Sequence, residues 1–176
     1  EFMNSNLMKY KNCVHVCSSM DYVFNLLCLK GSPNFMKEKP ATVFDANVYL
    51  AINLLRAAHQ CGIEGYLHTS SYREYPAAEV FFEDDAANEK LPSKNDRFAG
   101  FAKLAGEIQS QAYMIEYEMI ISTVRPANTY GPLDDFDSDG AMVVPSLIKR
   151  VMGGEDPLIV WGDGTQVRDV IFSEDI

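Results

Sequence analysis

The sequence predicts an α/β fold, a doubly wound parallel sheet with flanking helices. Three observations carry this. Asp21–Cys28 (DYVFNLLC) is a continuous apolar run of strand length, as suits a parallel strand buried on both faces. Ala41–Cys61 reads as a long helix, stops at Gly62, and hands over at once to a second strand-like run, Glu64–Ser70. A further helical stretch to about Tyr117 leads into the β-branched run Met119–Val124. Strands alternating with helices are the rhythm of a parallel sheet.

Taken in order, Asn6–Met20 predicts a short helix leading into the first strand. After that strand, Leu29–Pro40 holds Gly31, Pro33 and Pro40 and reads as irregular. The Ala41–Cys61 helix places Leu50, Leu54, Leu55 and Ala58 on its apolar side. Asn53 reads as surface polarity, and Asn47 as a candidate for a structural hydrogen bond. Ala77–Asp96 is acidic and proline-bearing and reads as a surface loop, with Glu83, Asp84 and Asp85 exposed. In the next helix, Phe101, Ala105, Ile108, Ala112 and Ile115 recur every three or four residues and predict a shared apolar face. Lys103 and Glu107, four apart, predict a pair along another face. Ala141–Met152 reads as a helix ended by Gly153-Gly154, Leu158–Trp161 as a short strand, and Arg168–Phe172 as the last one.

The 176 residues fit one domain with a real core. The hydrophobic fraction of 47% and charged fraction of 23% are those of a soluble globular chain. A net charge of −10 argues against nucleic acid as a partner, because phosphate binding needs clustered Lys and Arg. No apolar run approaches the roughly 18 residues that span a bilayer, and no signal peptide is visible, so no membrane partner and a cytoplasmic setting are expected. Cys28 and Cys61 read as small core residues. Cys13, His15 and Cys17 suggest a metal clip, but a helix turns His15 away from the cysteines and no second ligand cluster is present. Asp135, Asp137, Asp139 and Gly140 fit the start of a calcium loop, yet its twelfth position is Ser146 rather than a bidentate glutamate. No metal is expected.

Four motifs stand in a fixed order. Thr69-Ser70-Ser71 ends a strand with Tyr75 four residues after Ser71, Arg97–Glu107 reads RFAGFAKLAGE, Arg125–Pro132 reads RPANTYGP, and Val167-Arg168-Asp169 lies near the end. From about Asp21 onward this resembles the extended short-chain dehydrogenase/reductases, the NAD-dependent nucleotide-sugar epimerases and dehydratases. It is closest in look to the GDP-fucose synthases, through YGPLDDF and Val-Pro-Ser-Leu-Ile. The resemblance implies a partial Rossmann-like sheet, NAD or NADP as cofactor, and a nucleotide sugar as substrate. By the same resemblance Ser71 and Lys103 are catalytic, and Cys28, Ser70, Lys103, Pro126 and Ala127 meet the cofactor. Ser71, Asn128, Val144 and Arg168 meet the substrate.

The sequence departs from the family in three ways. The tyrosine of Tyr-x-x-x-Lys is Ala99, and a missing general acid or base is worth about 10²–10⁴ in rate. Where the GDP-fucose synthases carry a cysteine and a histidine for 3,5-epimerisation, Arg73 and roughly Ala141 stand, so that chemistry is not expected. The Gly-x-x-Gly-x-x-Gly turn that seats the cofactor pyrophosphate is absent from the sequence. Residues 1–20 are therefore read as a tag remnant and lead-in, and 21–176 as the central part of the domain. An uncovered first strand would be an aggregation hazard, so either another chain covers it, a homo-oligomer among the options, or the fragment rearranges. Two readings compete. One is an NAD(P)-dependent nucleotide-sugar epimerase, dehydratase or reductase, impaired in this chain. The other is a non-catalytic relative with a binding or assembly role.

Overall fold

Each apolar run in the first two-thirds of the chain forms its strand, shorter than the run itself. The computed structural model describes residues 2–31, 33–83, 91–94, 96–137, 141–160 and 162–176. They fall into two units, Glu1–Leu29 with Lys39–Arg125, and Lys30–Glu38 with Pro126–Ile176.

The first unit holds α1 (Tyr10–Cys17), β1 (Tyr22–Asn25), α3 (Pro40–Cys61), β2 (Gly65–Thr69), α4 (Arg97–Tyr117) and β3 (Ile121–Val124), with a 3₁₀ turn at Tyr72–Glu74. Its strands run parallel in the order β1-β2-β3, with Val23 opposite Tyr66 and Tyr66 opposite Ile121. Those residues meet Leu54, Leu55, Ala57 and Ala58 of α3, and Cys13 and Cys17 of α1, in one core. Fully burying a side chain such as Leu55 contributes about 1.5–3 kcal/mol. Gly62 ends α3 at φ +70°, a conformation that costs glycine nothing, and its N–H returns to Ala58 and His59 carbonyls.

Several sequence expectations are corrected here. β1 is at the edge of the sheet among the described residues, as expected of an uncovered first strand, but it is not buried on both faces. Tyr22 and Phe24 are 61% and 69% exposed, because the helices of this unit lie on the other face of the sheet. The expected apolar face of α4 is half-buried at Phe101 and Ala105 but turns to solvent further on, with Ile108 57% and Ile115 82% exposed. Its buried positions are Gly100, Ala102, Gly106, Glu107 and Ser110. Small residues win that face because the backbone must come close: a Cβ on Gly106 would lie 2.5 Å from His68 Cε1 and 3.3 Å from the Ala51 side chain. Asn53 is buried, satisfied by donating to the Met8 carbonyl at 2.9 Å. Cys28 is exposed, whereas Cys13 and Cys17 are the cysteines of the core.

The second unit holds α2 (Pro33–Glu38), β4 (Asn128–Tyr130), α5 (Val143–Met152) and β5 (Val170–Phe172), with β4 and β5 parallel. α2 forms where an irregular loop is expected, with Pro33 as its first residue, a place where proline's missing N–H costs nothing. Leu158–Val160 is not a strand; Trp161 lies outside the described residues, as do Asp84, Asp85, Asp139 and Gly140. Among the described residues no metal-holding group of His, Cys, Asp or Glu is found, and no helix is long and apolar enough to cross a membrane.

Candidate active site

The site is built where β1 and β2 end. Asn47, on α3, clamps the chain just beyond β1: its amide accepts from Leu29 N–H at 2.8 Å and donates to the Leu29 and Val43 carbonyls at 3.0 and 2.9 Å. The expected structural role of Asn47 therefore holds. With that segment fixed, Lys103 reaches across from α4 and donates to the carbonyls of Leu27 (3.2 Å) and Thr69 (2.7 Å). Burial pushes the Lys103 pKa down, opposed by the nearby Cys28 and Glu74. The ammonium thus ties together the carboxyl ends of two parallel strands, the edge at which open α/β sheets bind ligands.

Ser70 and Ser71 continue directly from β2. The Ser71 side chain accepts from the Arg73 N–H at 3.3 Å and caps the 3₁₀ turn. Ser70 is buried and donates to Glu74 Oε2 at 3.2 Å. Ala99 lies one helical turn before Lys103, half-buried and without an ionisable group. Tyr75 is 7% exposed, stacked on Phe81 at 5.2 Å between ring centroids, and packed under the Arg125 guanidinium.

A charged cluster lies beneath these residues, and the sequence reading missed it. Glu107 does not pair with Lys103. It takes a fork from Arg125, Nε to Oε1 at 2.9 Å and Nη2 to Oε2 at 2.6 Å. Arg125 also ion-pairs with Glu74. Two buried carboxyls therefore share one guanidinium. Burial and the Glu107 charge push Glu74 up to about 8. Burial opposes ionisation of Glu107 too, but the Arg125 hydrogen bonds outweigh it and hold its pKa down. His68, 2% exposed against Gly106, is held below its usual range by burial and Lys103. The one available sequence signal was Arg125 directly after a β-branched strand, a charge that needs a partner.

The second unit carries the other expected site residues. Pro126 and Ala127 are half-buried just before β4. The Asn128 amide donates to the Asp169 carbonyl at 3.0 Å, joining β4 to the chain before β5. Arg168 is exposed. Val144, on α5, lines a cavity of about 220 Å³ with Tyr130, Phe136, Ile148 and Phe172.

The model of the NAD dependent epimerase/dehydratase family matches residues 1–176. The chain is 27% identical over 164 residues to a dTDP-4-dehydro-6-deoxy-D-allose reductase of a Streptomyces species, covering 92% of this chain and 50% of that protein. It is 33% identical over 142 residues to the GDP-L-fucose synthase of Sinorhizobium fredii, covering 77% and 45%. The UDP-glucose 4-epimerase of Thermotoga maritima, solved with UDP-glucose, superposes with a TM-score of 0.84 at 23% identity, over 99% of this chain and 55% of that one. The chain spans about half the length of the curated relatives it matches.

Proposed function

Since the chain belongs to the NAD-dependent epimerase/dehydratase family, we propose that its protein oxidises or reduces a carbon of a nucleotide-linked sugar with NAD or NADP. The observation that carries this reading is Lys103, half-buried and bound to the ends of β1 and β2. An ammonium has three donors, and two are taken by carbonyls, which leaves one for a ribose hydroxyl. Thr69, whose carbonyl Lys103 binds, also has a buried side-chain Oγ1 with no hydrogen-bond partner among the described residues. These residues fit the nicotinamide-ribose end of the cofactor. The sequence has no Gly-x-x-Gly-x-x-Gly turn, so no residue is assigned to the pyrophosphate.

When bound, the nicotinamide gives or takes the hydride. Lys103 holds the ribose, Cys28, Ser70, Pro126 and Ala127 border the cofactor, and Ser71 orients the sugar hydroxyl. Asn128, Val144 and Arg168 hold the nucleotide part of the substrate, and a guanidinium suits a diphosphate by its planar fork of donors. Ala99 offers no proton, so proton transfer is the weak step of this site.

The test expresses the protein from its complete reading frame. It supplies NADH or NADPH deuterated at the transferred position with a panel of nucleotide 4-ketosugars. Mass spectrometry then looks for deuterium in the sugar. A panel that stays unlabelled, with every sugar recovered unchanged, counts against the reading.

A further inference from the structure

We infer that Glu74 is a positioning residue of the site, a latch that holds Ser70 and Ser71 at the end of β2 while it carries a proton and releases them when it loses it. The inference rests on the reading of Ser71 as the group that orients the sugar hydroxyl, and adds what keeps it in place. Glu74 lies in the 3₁₀ turn that follows Ser71, and its side chain is wholly buried. It holds both serines. Its main-chain N–H donates to the Ser71 carbonyl at 3.2 Å, and its Oε2 accepts from Ser70 Oγ at 3.2 Å. The Ser70 N–H donates to the carbonyl of Val124, the residue before Arg125, at 2.8 Å. The Glu74 carboxyl, paired with Arg125, therefore fastens the serine end of β2 to the end of β3.

The latch depends on the charges around that carboxyl. Glu107, on α4, takes the Arg125 fork and hydrogen-bonds to Glu74. Lys103, one turn earlier on α4, gives two of its three donors to carbonyls. His68, on β2 near Glu107, is kept neutral by burial. While Glu74 keeps its proton, Glu74, Glu107 and Arg125 together are neutral. Once the proton is lost, two carboxylates face each other over one guanidinium, away from water, where like charges repel strongly. Glu107 holds both fork bonds, so Glu74 is the carboxylate that leaves. Ser70 Oγ then loses its acceptor, and the turn after Ser71 loses its tie to Arg125. Burial and the Glu107 charge push Glu74 up to about 8, which puts the release just above neutral pH.

The experiment follows the backbone amide shifts of Ser70 and Ser71 by NMR in the 176-residue chain from about pH 6.5 to 9. Both are expected to move together through one step near pH 8. Glu74→Gln, which has the shape of the protonated acid and does not titrate, is expected to abolish the step. In the protein expressed from its complete reading frame, kcat/KM for a nucleotide 4-ketosugar is expected to fall about tenfold per pH unit above that step. The same substitution is expected to remove that fall. The shifts are read in the unaltered chain, so a variant that fails to fold leaves that arm decisive. Ser70 and Ser71 shifts with no step near pH 8 overturn the latch and leave the oxidoreductase reading intact. So does an alkaline fall that Glu74→Gln retains, as ionisation of Lys103 would give. Failure of the unaltered protein to turn over any ketosugar counts against the oxidoreductase reading, and the amide titration then decides the latch by itself.

Discussion

Glu74→Gln should abolish the fall in stability between pH 6.5 and 8. The folded pKa of Glu74 is raised from 4.5 to about 8 by burial and by Glu107, so between those values the folded chain holds a proton that the unfolded chain has lost. Stability must then fall as pH rises through this window. One group gives about 1.4 kcal/mol per pH unit, hence about 2 kcal/mol between pH 6.5 and 8. Lys103, lowered from 10.5 by burial, works in the opposite sense, making stability rise with pH. His68, lowered, also opposes the fall, and only near and below its ordinary 6.5. Glu107, lowered, is ionised in both states throughout the window. Cys17, raised from 9.0 to about 11, acts only at more alkaline pH. Glutamine keeps the shape of the protonated acid and cannot titrate. The assay is urea unfolding followed by helix circular dichroism, which reports α3 and α4. With a slope near 2 kcal/mol/M, the Glu74 contribution lowers the unaltered midpoint by about 1 M of urea from pH 6.5 to 8, and the variant midpoint should no longer fall. A level unaltered protein, or a variant that keeps the full slope, would refute the account of Glu74 as a buried acid that keeps its proton beside Glu107.

Gly106→Ala should cost about 1–3 kcal/mol by overpacking, because the new methyl meets the His68 ring, and thermal melting should show a drop of several degrees. Calorimetric titration of the 176-residue chain with NAD or NADP should show binding weaker than micromolar, since no glycine turn offers backbone donors to the pyrophosphate; a micromolar constant would reveal another phosphate cradle. Ala99→Tyr, in the protein expressed from its complete reading frame, should raise turnover of nucleotide sugars toward the scale of general acid–base catalysis, about 10²–10⁴. If the alanine protein already turns over briskly and tyrosine adds nothing, another group carries the proton.

The sequence by itself determined the parallel α/β class, because apolar runs, helical spacing and the stop at Gly62 are local signals that packing did not override. It also made Lys103 stand out, since a fixed spelling around one lysine is a linear feature. What it misjudged was which way side chains face. Ile108 and Ile115 look like core by spacing, yet the buried side of α4 went to Gly106 and Ser110, because close approach of helix to strand outweighs the burial of two isoleucines. Asn53 looks like surface, yet it meets a carbonyl 45 residues away. Glu107 looks like the partner of Lys103, yet the fold brings Arg125 to it and gives Lys103 two carbonyls from different strands. Each of these depends on contacts between residues far apart in the chain. Such contacts decide which buried charge is paired and which carboxyl keeps its proton, so they were settled by the tertiary structure alone.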